Sequence, residues 1–279
     1  MLRSLLLALD GIADAEAAVE TAAYLASAAG VSIDVRLTLD RAEIAGPEAS
    51  GVAGLSSAEH RDAVIIRRLG GRLDSTGRLA GERLTAAGAA FTIDRLDGDV
   101  RAELPRLAMG HDLVLLSNAL RRRLDSDDLD VTFALPAEEL IRSTPRPFLL
   151  ADRRSLGGGD GRPALAAFDG GRAAVAALRS AAALGLLDGR EAHVVSVGED
   201  RAEAERLAAE GCAILSGHGA VAAIPRPLLE DDGEVADLIA AELDRLEAGL
   251  LVMGAFGERS FAEPDGDGGA APEEPVYRH

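Results

Sequence analysis

The strongest constraint on the fold is an internal repeat. Residues 2–30 read LRSLLLALDGIADAEAAVETAAYLASAAG, and residues 162–187 read RPALAAFDGGRAAVAALRSAAALGLL. Each is a short apolar run, then Asp-Gly, then an Ala-rich run with helical character, so Asp10-Gly11 answers to Asp169-Gly170. A second strand pattern follows in each half, VSIDVRLTL (31–39) and EAHVVSVG (191–198). Downstream, GERLTAAGAAFTI (81–93) matches AERLAAEGCAILS (204–216), each read as a helix, a glycine stop and a strand. DVRAELPRLAMGHDLVLLSNA (99–119) then matches EVADLIAAELDRLEAGLLVMGAF (234–256), a helix leading into a buried strand. Strands alternating with helices in this order predict βα units, that is, parallel sheets with helices on both faces.

The expected organisation is therefore two α/β domains, residues 1–152 and 162–260, related by an approximate two-fold axis. A linker spans 153–161. Its Gly157-Gly158-Gly159-Asp160-Gly161 precedes a strand, whereas a nucleotide fingerprint must follow one. Residues 40–75 read as an insertion special to the first half, glycine-punctuated, with one helix near 57–68. Residues 261–279 read as an acidic Gly/Pro-rich tail.

Composition removes several classes of function. The net charge is −18, every basic side chain but histidine is Arg, and no Lys occurs. Nucleic-acid backbones are bound through basic patches, so no nucleic-acid partner is expected. Schiff-base and P-loop lysine chemistry have no residue to use. No run of about 18 apolar residues occurs, so no membrane span is expected. The apolar start reaches Asp10 quickly and is read as a first strand, not a signal peptide. Cys212 is alone, which excludes a disulfide within the chain and fits a reducing cytoplasm. His60, His111, His193, His218 and His279 are scattered without metal-ligand spacing. No Gly-x-Ser-x-Gly elbow anchors a serine hydrolase. The acidic run from Asp125 to Asp130 fails as a calcium loop, because Asp130 stands where glycine is required.

Strand-Asp-Gly-helix at the start, PAEELIRSTPRPFLLAD (136–152) and the late LLVMGAFG together resemble the universal stress protein family, in tandem. The resemblance implies a Rossmann-like fold of the adenine nucleotide hydrolase-like superfamily. Some members of that family bind ATP at the ends of the first and fourth strands. They use Gly-x2-Gly-x9-Gly-(Ser/Thr) for phosphate and an Asp after the first strand at the adenine end. By resemblance, Asp169 takes the adenine-side place, Val197 closes the second strand, and Met253, Gly254 and Gly257 begin the phosphate loop.

The motif then breaks. Asp267 stands where glycine is wanted, Gly268 follows, and the hydroxyl residue is missing. Glu258, Glu263, Asp265 and Asp267 face a single Arg259 in this segment. The first half keeps Asp10 but reads Ser117-Asn118-Ala119-Leu120 at the loop, followed by Arg121-Arg122-Arg123, read either as an anion contact or as a solvated loop paired with the acidic run that follows. The function expected is that of a non-catalytic stress-response protein. Its only pocket would be a degenerate adenine-nucleotide site in the second half, holding ATP or AMP weakly or not at all. An ATP-hydrolysing enzyme and a pure interaction module, with an unknown protein partner, are the alternatives. Assembly is expected as a homodimer or as a pseudo-dimer within the chain.

Overall fold

Leu5-Leu6-Leu7-Ala8-Leu9 is apolar at every position, the pattern of a strand covered on both faces of a parallel sheet. In the computed structural model it forms β1 (Ser4–Leu9), with all five residues buried. The structure describes residues 1–10, 15–40, 52–117, 122–124, 131–133, 137–151, 161–218, 223–230 and 234–255, the side chains of 52–62 and 117–139 excepted. The first half continues with α1 (Ala15–Ala29), β2 (Ser32–Asp40), α2 (Val52–Ala86), β3 (Ala90–Gly98), α3 (Val100–Ala108) and β4 (Leu113–Ser117). Then come β5 (Arg122–Leu124), β6 (Val131–Phe133), α4 (Ala137–Ser143) and β7 (Phe148–Ala151). The second half holds β8 (Ala164–Ala167), α5 (Arg172–Ala183), β9 (Ala192–Gly198), α6 (Arg201–Gly217), β10 (Ala223–Leu229), α7 (Val235–Arg245) and β11 (Leu250–Val252).

The two halves form separate sheets of one topology. The first runs β3-β2-β1-β4-β7 and the second β10-β9-β8-β11, and every strand pair within them is parallel. Leu5 pairs with Ile33 and Leu113, as Ala164 pairs with Ala192 and Leu250. The register thus sets Asp10 beside Asp169 in the repeat, and Ser117 beside Gly254. The expected fold class, two Rossmann-like parallel-sheet domains, is what the chain adopts.

In the first half, β1, β2 and β4 turn Leu5, Leu7, Leu9, Ile33, Val35, Leu113 and Leu115 toward α1 and α2. The opposite face sends Leu6, Ala8, Val114 and Leu116 against Val100, Leu104 and Ala108 of α3 and Leu140 of α4. The core of the second half joins β8, β9 and β11 to α5 and α6 through Ala164, Ala166, Phe168, Leu178, Val194, Leu207, Leu215 and Val252. Leu184 and Leu186, just after α5, pack against the first core, to which Leu149 and Ala151 of β7 also belong. At the amino edge of the first sheet, Asp112 ties β4 to β1. Its Oδ2 accepts from the backbone N–H of Arg3 at 2.9 Å and of Ser4 at 3.1 Å.

Three local readings change. The insertion does not hold a short helix: α2 is one helix of 35 residues that runs through Gly70-Gly71 into the second crossover helix. Ile65, Leu69, Leu73, Ala80 and Leu84 form one buried stripe at helical spacing, and that burial outweighs the low helix propensity of two glycines. Gly211 is likewise no stop. It lies inside α6, and the following strand is β10, not the segment after Gly211. A Cβ at 211 would stand 2.7 Å from Val194 Cγ1 and 3.1 Å from the Phe168 ring, so glycine there lets the helix approach the sheet. Finally, Arg122 and Arg123 lie in a two-stranded antiparallel ladder with Thr132 and Phe133, not in a loop. Residues 125–130 lie outside the described residues.

These glycines give opposite expectations. A Cβ at Gly70 or Gly71 would meet nothing within 4 Å, so Gly70→Ala and Gly71→Ala are each expected to stabilise by about 0.5–1 kcal/mol. Gly211→Ala is expected to destabilise by about 1–3 kcal/mol through overpacking. Urea denaturation of the three variants checks both signs. Asp112 gives a pH dependence. The Arg3 N–H, assisted by Ser4 and Arg146, holds its carboxyl below the usual range despite partial burial. A depressed carboxyl contributes stability that is complete above the unfolded value, about 4, and is lost as pH falls through the lower folded value. Asp112→Asn is expected to cost stability at pH 7 and to flatten the acid limb, read from urea midpoints between pH 7 and 3.

Candidate functional site

In a sheet where the chain turns back on its own strand order, loops on either side of the reversal part and leave a crevice at the carboxyl ends. The second sheet reverses between β8 and β11. β8 ends at Ala167, and Phe168 N–H still donates to Val195 O of β9 at 2.9 Å. The chain then turns at Asp169, whose Oδ1 accepts from Gly171 N–H at 2.8 Å. Gly170 has φ +82°, a conformation that glycine takes without strain. α5 begins next, with Gly171 as an N-cap that offers no side-chain acceptor. Its first N–H groups therefore lack a side-chain cap.

On the other side of the crevice, β11 ends at Val252, followed by Met253, 55% exposed, and Gly254. A Cβ on residue 254 would stand 2.5 Å from Ala174 N and 2.8 Å from Ala173 C. The backbone at Gly254 is thus pressed against the first turn of α5, and both neighbours are main chain that cannot swing away. Val197 is half-buried near the end of β9. By register it shares its sheet face with Leu165 and Leu251.

Asp169, Val197, Met253 and Gly254 are therefore brought to one edge of the second sheet, from the ends of three strands. Gly257 and Gly268 lie outside the described residues, as do Glu258, Arg259, Glu263, Asp265 and Asp267. The reading of the motif overlooked Arg172. It is exposed at the first position of α5, directly after the turn that Asp169 closes. Its signal was the sequence Asp169-Gly170-Gly171-Arg172, which puts a cation where a helix N-terminus begins. The same edge also carries Asp200, which caps α6 by accepting from Glu203 N–H at 2.8 Å, and Glu203, which accepts from Glu199 N–H at 3.2 Å.

The first half differs at this edge. Ser117 replaces Gly254 at the end of β4, and Asn118, Ala119 and Leu120 lie outside the described residues. Thr38, five residues beyond Ile33 as Val197 is five beyond Ala192, is buried and donates its hydroxyl to Leu9 O at 3.3 Å. Elsewhere, burial pushes the half-buried Cys212 thiol up from its usual range, away from nucleophilic use. Among the described residues no cluster of three His, Cys, Asp or Glu can hold a metal ion. Among them, too, no helix is long and apolar enough to cross a membrane.

No protein-family model matches the chain, and no curated protein matches it by sequence. Solved structures do match. A universal stress protein from Archaeoglobus fulgidus DSM 4304 aligns over 90% of this chain and 86% of its own, at 15% identity and a TM-score of 0.62. A universal stress protein in complex with cAMP covers 53% of this chain and 95% of its own, at 19% identity and a TM-score of 0.33. A universal stress protein from Archaeoglobus fulgidus in complex with dAMP covers 55% and 100%, at 16% identity and a TM-score of 0.33. The chain has the fold of a two-domain universal stress protein.

The contact at residue 254 sets an expectation for this edge. Gly254→Ala forces β11 and α5 apart, because the new methyl meets backbone. It is expected to cost about 1–3 kcal/mol, measured by urea denaturation. Met253→Ala, at an exposed position, is expected to change stability by less than about 0.5 kcal/mol.

Proposed function

We propose that this tandem of universal-stress-protein folds is a non-catalytic stress-response protein of the cytoplasm. In this reading the second half keeps a reduced adenine-nucleotide pocket and the first half keeps none. The observation that carries it is the gathering of Asp169, Val197, Met253 and Gly254 at the reversal point of the second sheet, over an α5 N-terminus without a side-chain cap. An apolar side chain, a glycine backbone and a carboxylate suit the holding of a base and ribose better than the turnover of a phosphate.

The same edge supports weak binding of polyphosphate. Asp169 already gives one oxygen to Gly171 N–H, and Asp200 and Glu203 add negative charge against Arg172 and Arg201. The acidic residues from Glu258 to Asp267 follow in sequence. Like charges at about 4 Å repel by roughly 1–4 kcal/mol between water and protein-surface dielectrics. A few such pairs offset much of the roughly 8 kcal/mol that micromolar binding represents. Residues that match the adenine end are less affected, so AMP or adenosine is disfavoured less than ATP. The pairing of the two halves within one chain is supported by Leu184 and Leu186 packing against the first core.

Titration calorimetry with ATP–magnesium, AMP and adenosine tests this reading, with phosphate release followed in parallel. The expected result is ATP binding weaker than about 100 μM, AMP or adenosine at least as tight, and no phosphate release. ATP binding at low micromolar strength or tighter, lost in Gly254→Val, would overturn it, and so would turnover of ATP.

A further inference from the structure

The face of the second sheet turned toward α7 carries a charged network that the nucleotide reading does not use. His193 of β9 is 2% exposed. Arg226 Nε–H of the adjacent β10 donates to its Nδ1 at 3.1 Å. That geometry requires Nδ1 to be unprotonated, so the neutral ring carries its hydrogen on Nε2. Nε2 lies 2.5 Å from Glu191 Oε1, but the alignment is too poor for a hydrogen bond, and it has no hydrogen-bond partner among the described residues. On its other side, Arg226 Nε stands 3.7 Å from Glu242 Oε1 of α7. Glu242 is 8% exposed and is the one buried residue of α7. It is gripped by Arg245, which donates from Nε at 2.7 Å and from Nη2 at 2.5 Å. Arg226 thus stands between a neutral imidazole and a carboxylate.

We propose that His193 is a proton-controlled acceptor: its protonation state decides whether Arg226 is held by β9 or released to Glu242 on α7. A proton taken from solvent onto Nδ1 turns the acceptor into a donor, and two donors cannot share the 3.1 Å contact. It also sets a cation beside the permanently charged guanidinium. Arg226 must leave the ring, and Glu242 Oε1 already stands 3.7 Å from its Nε. Glu242 is ready to receive it, since the hydrogen bonds from Arg245 hold its carboxyl below the usual carboxylate range despite partial burial. Among the described residues, the charged groups around the ring are Glu191 ahead of β9, Arg226 from β10 and Glu242 from α7, with Arg245 behind Glu242. α7 precedes β11 in the chain, so the link connects proton uptake to the strand that Met253 and Gly254 follow.

The test is NMR of the full chain, labelled with ¹⁵N in histidine and arginine, from pH 8 to 5. At pH 8 His193 is expected as the Nε2–H tautomer, with Arg226 Nε–H protected from exchange. On acidification the Arg226 signal should shift with the same midpoint as His193. Its protection relative to intrinsic exchange should change by about three- to tenfold, the effect of one hydrogen bond of ordinary net strength. His193→Gln keeps an acceptor that does not titrate, so Arg226 should become independent of pH. An Nδ1–H tautomer at pH 8, a His193 that takes up no proton while the chain stays folded, or an Arg226 signal that ignores the titration would each overturn the proposal. The wild-type titration alone decides if the variant fails to fold.

Discussion

The second half is built around a central strand of small side chains, and its other features follow from that. Its central strand reads Ala164-Leu165-Ala166-Ala167, where the first half has Leu5-Leu6-Leu7-Ala8-Leu9. Protein interiors are close-packed, so helices over an alanine sheet must come nearer than helices over a leucine sheet. At the nearest points even a methyl group does not fit. Gly211 lets α6 meet Val194 and Phe168, Gly198 meets the first turn of α6, and Gly254 meets the first turn of α5. Among the described residues of the first half the tight glycine is Gly77, and what it touches is only the movable tip of Leu37. One topology is thus filled in two ways, by bulk in one half and by proximity in the other.

The far faces of the two sheets differ in kind as well. In the first half, α3 and α4 seal that face with Val100, Leu104, Ala108 and Leu140. In the second half, α7 brings half-buried Leu238, Ile239, Leu243 and Leu246, and its one buried residue is a carboxylate. Buried ion pairs add little net stability, but they fix geometry, because an unpaired member is costly. The ion pair that ties α7 to the sheet is Arg226–Glu242, at 3.7 Å, while Arg245 holds Glu242 from within the helix.

The architecture was legible because the repeat is written in residues with few alternatives. Asp10 and Asp169 follow apolar runs in both halves, and the Leu113 and Leu250 segments return in the same order. The misreadings share one cause. Glycine has the same letter whether it ends a helix, weakens one or admits a neighbour. Gly88, with φ +69°, does follow the end of α2, as a stop should. Gly211 looks identical in sequence, yet its role depends on Val194 and Phe168, which are distant in the chain. Gly70-Gly71 resembled a break because the stripe that overrides it spans Ile65 to Leu84, longer than the window in which a breaker is judged. At the candidate site, the carboxylate and the glycine could be placed by motif. Arg172 could not, because its relevance depends on where α5 begins relative to β11.

The edge strand of the second sheet has a further consequence. β10, at the outer edge of its sheet, carries Pro225 and Pro227 at alternate positions. Residues along a parallel strand serve the two sides in turn, so Ile224, Arg226 and Leu228 can serve β9 while the prolines point outward. An outward row interrupted by two imide nitrogens cannot template another strand. During synthesis and refolding, when many copies are close together and their sheets are incomplete, this flank offers no register for a neighbour to copy. The edge at β3 has no proline and relies on Asp94, Arg95 and Asp97 instead. Protection by charge weakens with salt, and protection by proline does not. These two sheet edges are therefore guarded against misassembly by means that respond differently to the ionic strength of the cell.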